Sequence, residues 1–171
     1  MVLRAALDED VPGPRVVQIA GREAHWMAEG ARIAEARRGE MLEAGRSFAT
    51  ETVFSHPSKL EILGAARARG YLVVVMHVGV EGADLSVGRV RGRAEEGGHD
   101  VPEDKIRARY ARGQPLIREA VLRADRGMVF DNSRLNKAPR RMLVFAAGRL
   151  REAAPTLPDW IRAAYAADLV I

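Results

Sequence analysis

Arg89 and Arg93 stand four positions apart, a spacing that brings two side chains to one face of a helix. Two forked guanidinium groups so placed can take up the charge that spreads over a transferring phosphoryl group. The same pair also fits a plain solvated helix face, and spacing alone leaves both readings open. Arg109 is a third candidate for contact with phosphates, while Arg107 and Arg112 read as surface. Ser55 and His56 are adjacent, but neighbours at a strand end rarely face each other, and no third group orients them as a nucleophile and base require. Ser55 fits better as a helix cap or a substrate contact. The four histidines (His25, His56, His77, His99) show no ligand spacing, and there is no cysteine, so the expected metal-site list is empty. Asp131-Asn132-Ser133 follows an apolar run and reads equally as a ligand loop or as an ordinary turn.

The elements that must position these residues alternate in type. Glu23 to Ala44 is helical in pattern, with Trp26 and Ile33 seven apart and Met27, Ala34 and Met41 in the same rhythm. Gly45 is placed to stop that helix. Ser47–Phe54 is a strand candidate, and Pro57 suits the first turn of a helix that reaches Gly70. Tyr71–Val78 is the clearest strand, apolar on both faces, which predicts cover by helices on each side. Ala83, Val87, Val90 and Ala94 mark the next helix. Asp100 and Glu103 have capping-box spacing before another, which Gly113 and Pro115 are expected to interrupt before it runs on to Asp125. Gly127–Asp131 and Met142–Ala146 read as strands. Leu157–Ile171 reads as a final helix with Trp160, Ile161 and Tyr165 turned inward. Arg15–Ala20 is a weak strand after an irregular lead-in over residues 1–14. The prediction is an α/β domain over residues 1–171, with a parallel sheet, helices on both faces, and ligands beyond the carboxyl ends of the strands.

Composition narrows the class. The 171 residues are 47% hydrophobic and 29% charged, enough to bury a core without staples. No stretch is long enough to span a bilayer and the first residues lack a signal-peptide pattern, so no membrane partner and a cytoplasmic location are expected. The net charge of +4 and pI of about 9.9 suit an anionic partner. A basic nucleic-acid-binding module rests on that charge alone, since aromatics for stacking are few and no recognition motif occurs.

Three blocks carry a family likeness. Ser47-Phe48-Ala49-Thr50-Glu51-Thr52-Val53-Phe54-Ser55 resembles the F-x-x-E-T-T-x-S strand end of zeta-toxin-like kinases. Arg89 to Tyr110, with Gly97-Gly98-His99-Asp100-Val101-Pro102 at its centre, resembles their R-V-x-x-R-V-x-x-G-G-H-x-V-P lid element. Val129-Phe130-Asp131-Asn132-Ser133 resembles their V-Y-D-N-S strand and turn. Together the blocks cover about residues 30–135 in matching order.

The resemblance implies a P-loop-kinase-like three-layer fold and transfer of the γ-phosphate of ATP to a hydroxyl, with Mg²⁺, on a nucleotide or nucleotide sugar such as UDP-N-acetylglucosamine. It implies Glu51, Thr52 and Ser55 at the substrate, and Arg89, Arg93 and Arg109 at the phosphates. Asp131, Asn132 and Ser133 fall on the nucleotide side, and residues 89–112 form a lid that bends at Gly97, Gly98 and His99. An antitoxin protein is a further implied partner.

The chain departs from the family in its front end. No G-x-x-x-x-G-K-[ST] loop occurs, and none of the three lysines (Lys59, Lys105, Lys137) stands in such a loop. Where the family has a catalytic carboxylate in V-N-A-D, this chain has Val17-Gln18-Ile19-Ala20. The expectation is a domain without its P-loop strand, shortened at the N-terminus and inactive toward ATP as it stands. It would then be a binding remnant for a nucleotide sugar or a protein. Losing a central strand strips its neighbours of ladder partners, so that slot must be refilled, with Arg15–Ala20 as one candidate, or the chain must dimerise.

Overall fold

The computed structural model describes residues 2–4, 24–52, 54, 56–97 and 101–169. Its elements are β1 (Val2–Arg4), α1 (Ala24–Glu43), β2 (Phe48–Ala49), α2 (Ser58–Ala68), β3 (Leu72–Gly79), α3 (Gly82–Glu95), α4 (Glu103–Arg123), β4 (Arg126–Asp131), β5 (Arg140–Ala146), β6 (Arg149–Ala153) and α5 (Asp159–Tyr165). A 3₁₀ turn (Ala166–Asp168) follows α5.

Helices α1 and α2 stop for the same reason. Gly45 (φ +66°) and Gly70 (φ +77°) take the left-handed conformation, and the next residue reaches back six positions into the helix. Arg46 N–H bonds to the Met41 carbonyl at 3.0 Å, and Tyr71 N–H to that of Ala66 at 3.1 Å. Each turn satisfies helix-end carbonyls and aims the chain into the following strand.

The sheet is mixed, with order β2-β1-β3-β4-β5-β6. β3 and β4 are parallel over Val74↔Arg126 to Gly79↔Asp131, but β1 is antiparallel to both its neighbours, and β5 and β6 are antiparallel in turn. The expected fully parallel sheet is therefore corrected. Part of the cause is local. Ala147 (φ +49°) and Gly148 (φ +75°) are both left-handed, the geometry of a two-residue hairpin turn, and it folds β6 straight back on β5. Alanine is a poor signal for that turn, and β6 is a polar edge strand in which Leu150 alone is buried, so neither stands out in the sequence.

The slot between β2 and β3 is filled by Val2–Arg4, inside what reads as an irregular lead-in. The Arg15–Ala20 candidate lies outside the described residues. Ser47–Phe54 shortens to a two-residue strand, because β1 offers it a ladder only at Phe48 and Ala49.

One face of the sheet holds the core. Val73, Val75, Val129, Leu143 and Phe145 pack against Leu63 of α2, Val121 of α4 and Ile161 of α5. The other face does not match the expectation for β3. Leu72, Met76 and Val78 are 48%, 42% and 52% exposed, so the described helices cover one side of this strand, not two. Helix α4 passes through Gly113 and Pro115 without a break. Pro115 and Ala111 are both exposed, so the carbonyl that the proline leaves without a donor faces water. The final helix is shorter than expected and ends at Tyr165, with Trp160, Ile161 and Tyr165 buried as expected.

Gly127 lets α4 approach β4. A Cβ there would sit 2.3 Å from the Val121 carbonyl oxygen, a backbone atom that cannot swing aside. Gly127→Ala is expected to destabilise the fold by about 1–3 kcal/mol, read as a lower urea midpoint with an unchanged slope.

Candidate functional site

β2 and β3 are each antiparallel to β1 and therefore run the same way, and β4 is parallel to β3. The carboxyl ends of all three point to one edge of the sheet. That edge carries Thr50-Glu51-Thr52, Val80-Glu81-Gly82 and Asp131-Asn132-Ser133. In open α/β sheets this is where ligands bind.

Helices α3 and α4 rise from the edge as a hairpin. Asp84 pairs with Arg107 at 2.7 Å and Arg91 with Glu103 at 2.5 Å, so positions climb in α3 as they fall in α4. Tyr110 fixes the level at which α4 crosses the edge. Its hydroxyl donates to the Val80 carbonyl (3.1 Å) and accepts from Gly82 N–H (3.2 Å). The seven residues from Tyr110 back to Glu103 thus carry α4 about 10 Å beyond the sheet at the usual helical rise. Lower down, Gly113 lies against the Phe54 carbonyl after β2, where a Cβ would come within 3.3 Å.

The arginines of this hairpin divide by partner. Arg91 and Arg107 are held by Glu103, and Arg107 also by Asp84. Arg89 reaches down to the Asn132 carbonyl at 2.5 Å, tying α3 to the loop after β4. Arg93 and Arg109 are exposed and have no hydrogen bond or ion pair among the described residues. Gly97 (φ +91°) ends α3 in the left-handed conformation. Gly98, His99 and Ser55 lie outside the described residues, as does Asp100 of the expected capping box, and Pro102 is the residue before α4.

Asp131 is buried, and its carboxylate is met from several sides. Oδ1 accepts from the Trp160 indole (3.1 Å), from Ser133 Oγ (2.5 Å) and from Ser133 N–H (3.3 Å), while Arg140 lies 3.6 Å from Oδ2. Burial alone would push its pKa up. The hydrogen bonds from Ser133 and Trp160, with the Arg140 charge, outweigh that and hold it below the ordinary value. Ser133 Oγ in turn accepts from Glu81 N–H (2.8 Å), and Asn132 N–H donates to the Gly79 carbonyl (2.8 Å). The polar groups of the Asp131-Asn132-Ser133 loop are thus engaged in joining the ends of β3 and β4. Glu51 is exposed and Thr52 half-buried at the end of β2. Glu51 and Thr52 share the edge with Asp131, Asn132 and Ser133, but they stand on opposite sides of β1 and β3.

Trp160, Glu81 and Tyr165 are the participants that sequence reasoning missed. The Glu81 carboxylate accepts from Trp160 N–H (3.2 Å). His77 Nδ1 is 2.9 Å from the Tyr165 hydroxyl, and its ring meets Trp160 edge to face at 5.3 Å. Gly79 makes room for this stack, since a Cβ there would lie 2.4 Å from the Trp160 ring. The signal was distance: α5 is some eighty residues from β3, and only packing brings them together. Among the described residues no group of three or more His, Cys, Asp or Glu could hold a metal ion, and no helix is long and apolar enough to cross a membrane.

No protein-family model matches the chain, and no solved structure matches it. A curated protein of Haemophilus influenzae, described only as an uncharacterized protein, is 27% identical over 63 residues, which is 37% of this chain and 45% of the relative. The matched stretch is thus under half of that relative's length.

Burial lowers the His77 pKa from 6.5 to about 4, so the ring is neutral in the fold. The unfolded chain binds the extra proton between these values, and stability must fall as pH drops through that window. The expected loss from pH 6.5 to 4 is about 3 kcal/mol, at roughly 1.4 kcal/mol per unit. Urea titrations across that range should show a smaller decline in His77→Gln than in the parent.

Proposed function

We propose that this chain is a zeta-toxin-like domain that binds a nucleotide or nucleotide sugar at the carboxyl edge of β2, β3 and β4, under the α3/α4 hairpin. The observation that carries the reading is the division among the hairpin's arginines. Arg91 and Arg107 are neutralised by acids, whereas Arg93 and Arg109 remain free on the segment that overhangs the edge. Uncommitted guanidinium groups beside a strand-end site suit a ligand that brings its own negative charge, and a phosphate is the best geometric match for the fork. Glu51 and Thr52, at the end of β2, supply an acceptor and a hydroxyl for the sugar or ribose side.

The strand order adds support. β2, the slot holding β1, β3 and β4 follow one another as expected for a P-loop-type sheet in which the central strand has been replaced. The residues do not fit Mg²⁺-ATP, however. Lys59 is paired with Glu35, Lys105 and Lys137 are exposed on α4 and in the β4–β5 loop, and the sequence contains no Walker A loop to wrap a triphosphate. Without that cradle the chain as it stands does not catalyse transfer from ATP. Its role is to bind.

The test is thermal unfolding with UDP-N-acetylglucosamine, UDP or ADP. At least one should raise Tm in proportion to the logarithm of its concentration, and Arg93→Ala and Arg109→Ala should each cut the affinity about tenfold. Absence of any shift would sink the binding role. Mg²⁺-ATP turnover well above that of a Glu51→Gln control would sink the inactivity.

A further inference from the structure

A second cluster of cations lies on the far side of β2, away from the α3/α4 hairpin. Between α1, β2 and α2 is a cleft of about 230 Å³ lined by Glu35, Arg38, Thr50, Thr52, Ser58 and Lys59. Arg38 and Lys59 converge there on a single carboxylate. Arg38 Nη2 is 2.5 Å and Lys59 Nζ 3.0 Å from the same oxygen of Glu35, so two positive charges share one negative charge and one is left over.

Donors are in surplus too. A guanidinium has five N–H groups and an ammonium three. Arg38 uses its own on Glu35 and, at 3.4 Å, on Thr50 Oγ1, while Lys59 has Glu35 alone among the described residues. The Arg38 side chain is only 14% exposed, so water is a poor substitute for the missing acceptors, whereas Glu35 is 60% exposed and can be drawn off toward solvent. The remaining lining is hydroxyl, from Thr50, Thr52 and Ser58, and suits acceptor oxygens in any orientation. Size limits the ligand. Pockets for drug-sized molecules run from about 300 Å³ upward, so this cleft takes a small anion and not a whole nucleotide.

We propose that the cleft between α1, β2 and α2 is a binding site for a single phosphate group, either free or at the end of a small phosphomonoester, held by Arg38, Lys59 and the surrounding hydroxyls. The site goes beyond the nucleotide reading above and stands without it.

The experiment measures binding of inorganic phosphate and of glycerol 3-phosphate by calorimetry and thermal shift, at constant ionic strength set with chloride so that screening does not vary. Both should bind the parent, and Lys59→Gln should weaken each about tenfold, the loss expected for one charged hydrogen bond. Lys59 is partly exposed, so that variant should fold, and Arg38→Gln provides a second reading from the deeper cation. Tighter binding of glycerol 3-phosphate than of phosphate would assign the site to a phosphomonoester, and equal or weaker binding would assign it to the free ion. No saturable binding of either would overturn the proposal. So would an affinity unchanged in Lys59→Gln. If that affinity were lost instead in Arg93→Ala, the anion would belong to the carboxyl edge, and the nucleotide reading would survive the failure of this one.

Discussion

The parallel pairing of β3 with β4 ends in a small buried polar knot, and the arrangement of the rest follows from how that knot is satisfied. Asp131 is a carboxylate with almost no contact with water, a costly state unless donors surround it. They come from three directions in the chain: Ser133 two residues on, Arg140 at the start of β5, and Trp160 in the last helix. Charged hydrogen bonds of this kind each contribute about 1.5–3 kcal/mol, and leaving the acceptor unmet costs at least as much. Ser133 passes the constraint to Glu81 N–H, and Asn132 passes it to Gly79 on one side and Arg89 on the other. The two strand ends, the start of α3 and α5 are therefore fixed together. An edge meant to present loops to a ligand is held rigid by groups that do not themselves face it.

That rigidity contrasts with the electrostatics of the hairpin above. Glu103 and Asp84 neutralise the arginines that hold α3 to α4, in exposed pairs that contribute little to stability but set the register of the two helices. The arginines without acids lie among them on the same segment. A net charge of +4 is unremarkable when spread over a surface, and it acquires meaning from which guanidinium groups lack a partner and where the backbone carries them. The same reasoning applies behind β2, where two cations share Glu35.

The sheet is less finished than its topology suggests. β1 supports β3 only from Leu72 to Val74, and the face of β3 opposite the core exposes Leu72, Met76 and Val78. An apolar stripe of this kind is unusual on a strand flanked by others and marks the side of the domain with least packing. The well-packed side, by contrast, is close enough that two glycines are dictated by contact: Gly127 beneath the α4 backbone and Gly79 beneath Trp160.

Local chemistry was legible in the sequence wherever it was self-contained. The boundaries of α1 and its Gly45 stop, the α2 start at Pro57, strands β3, β4 and β5, and the inward face of the last helix all follow from periodicity and left-handed glycines, which act within a few residues. Gly113 and Pro115 misled because helix breaking depends on whether the orphaned carbonyl is wet, and that is settled by exposure in the fold. The mixed sheet, the use of Val2–Arg4 in the central slot and the one bare face of β3 were not legible, since an apolar run is the same string whether one face is covered or two. The partners of Asp131 and His77 come from α5, many residues away. Residue types named the candidates, but only tertiary contacts decided which arginines are neutralised and which carboxylate is locked inside, because charge pairing is a matter of distance in space and not along the chain.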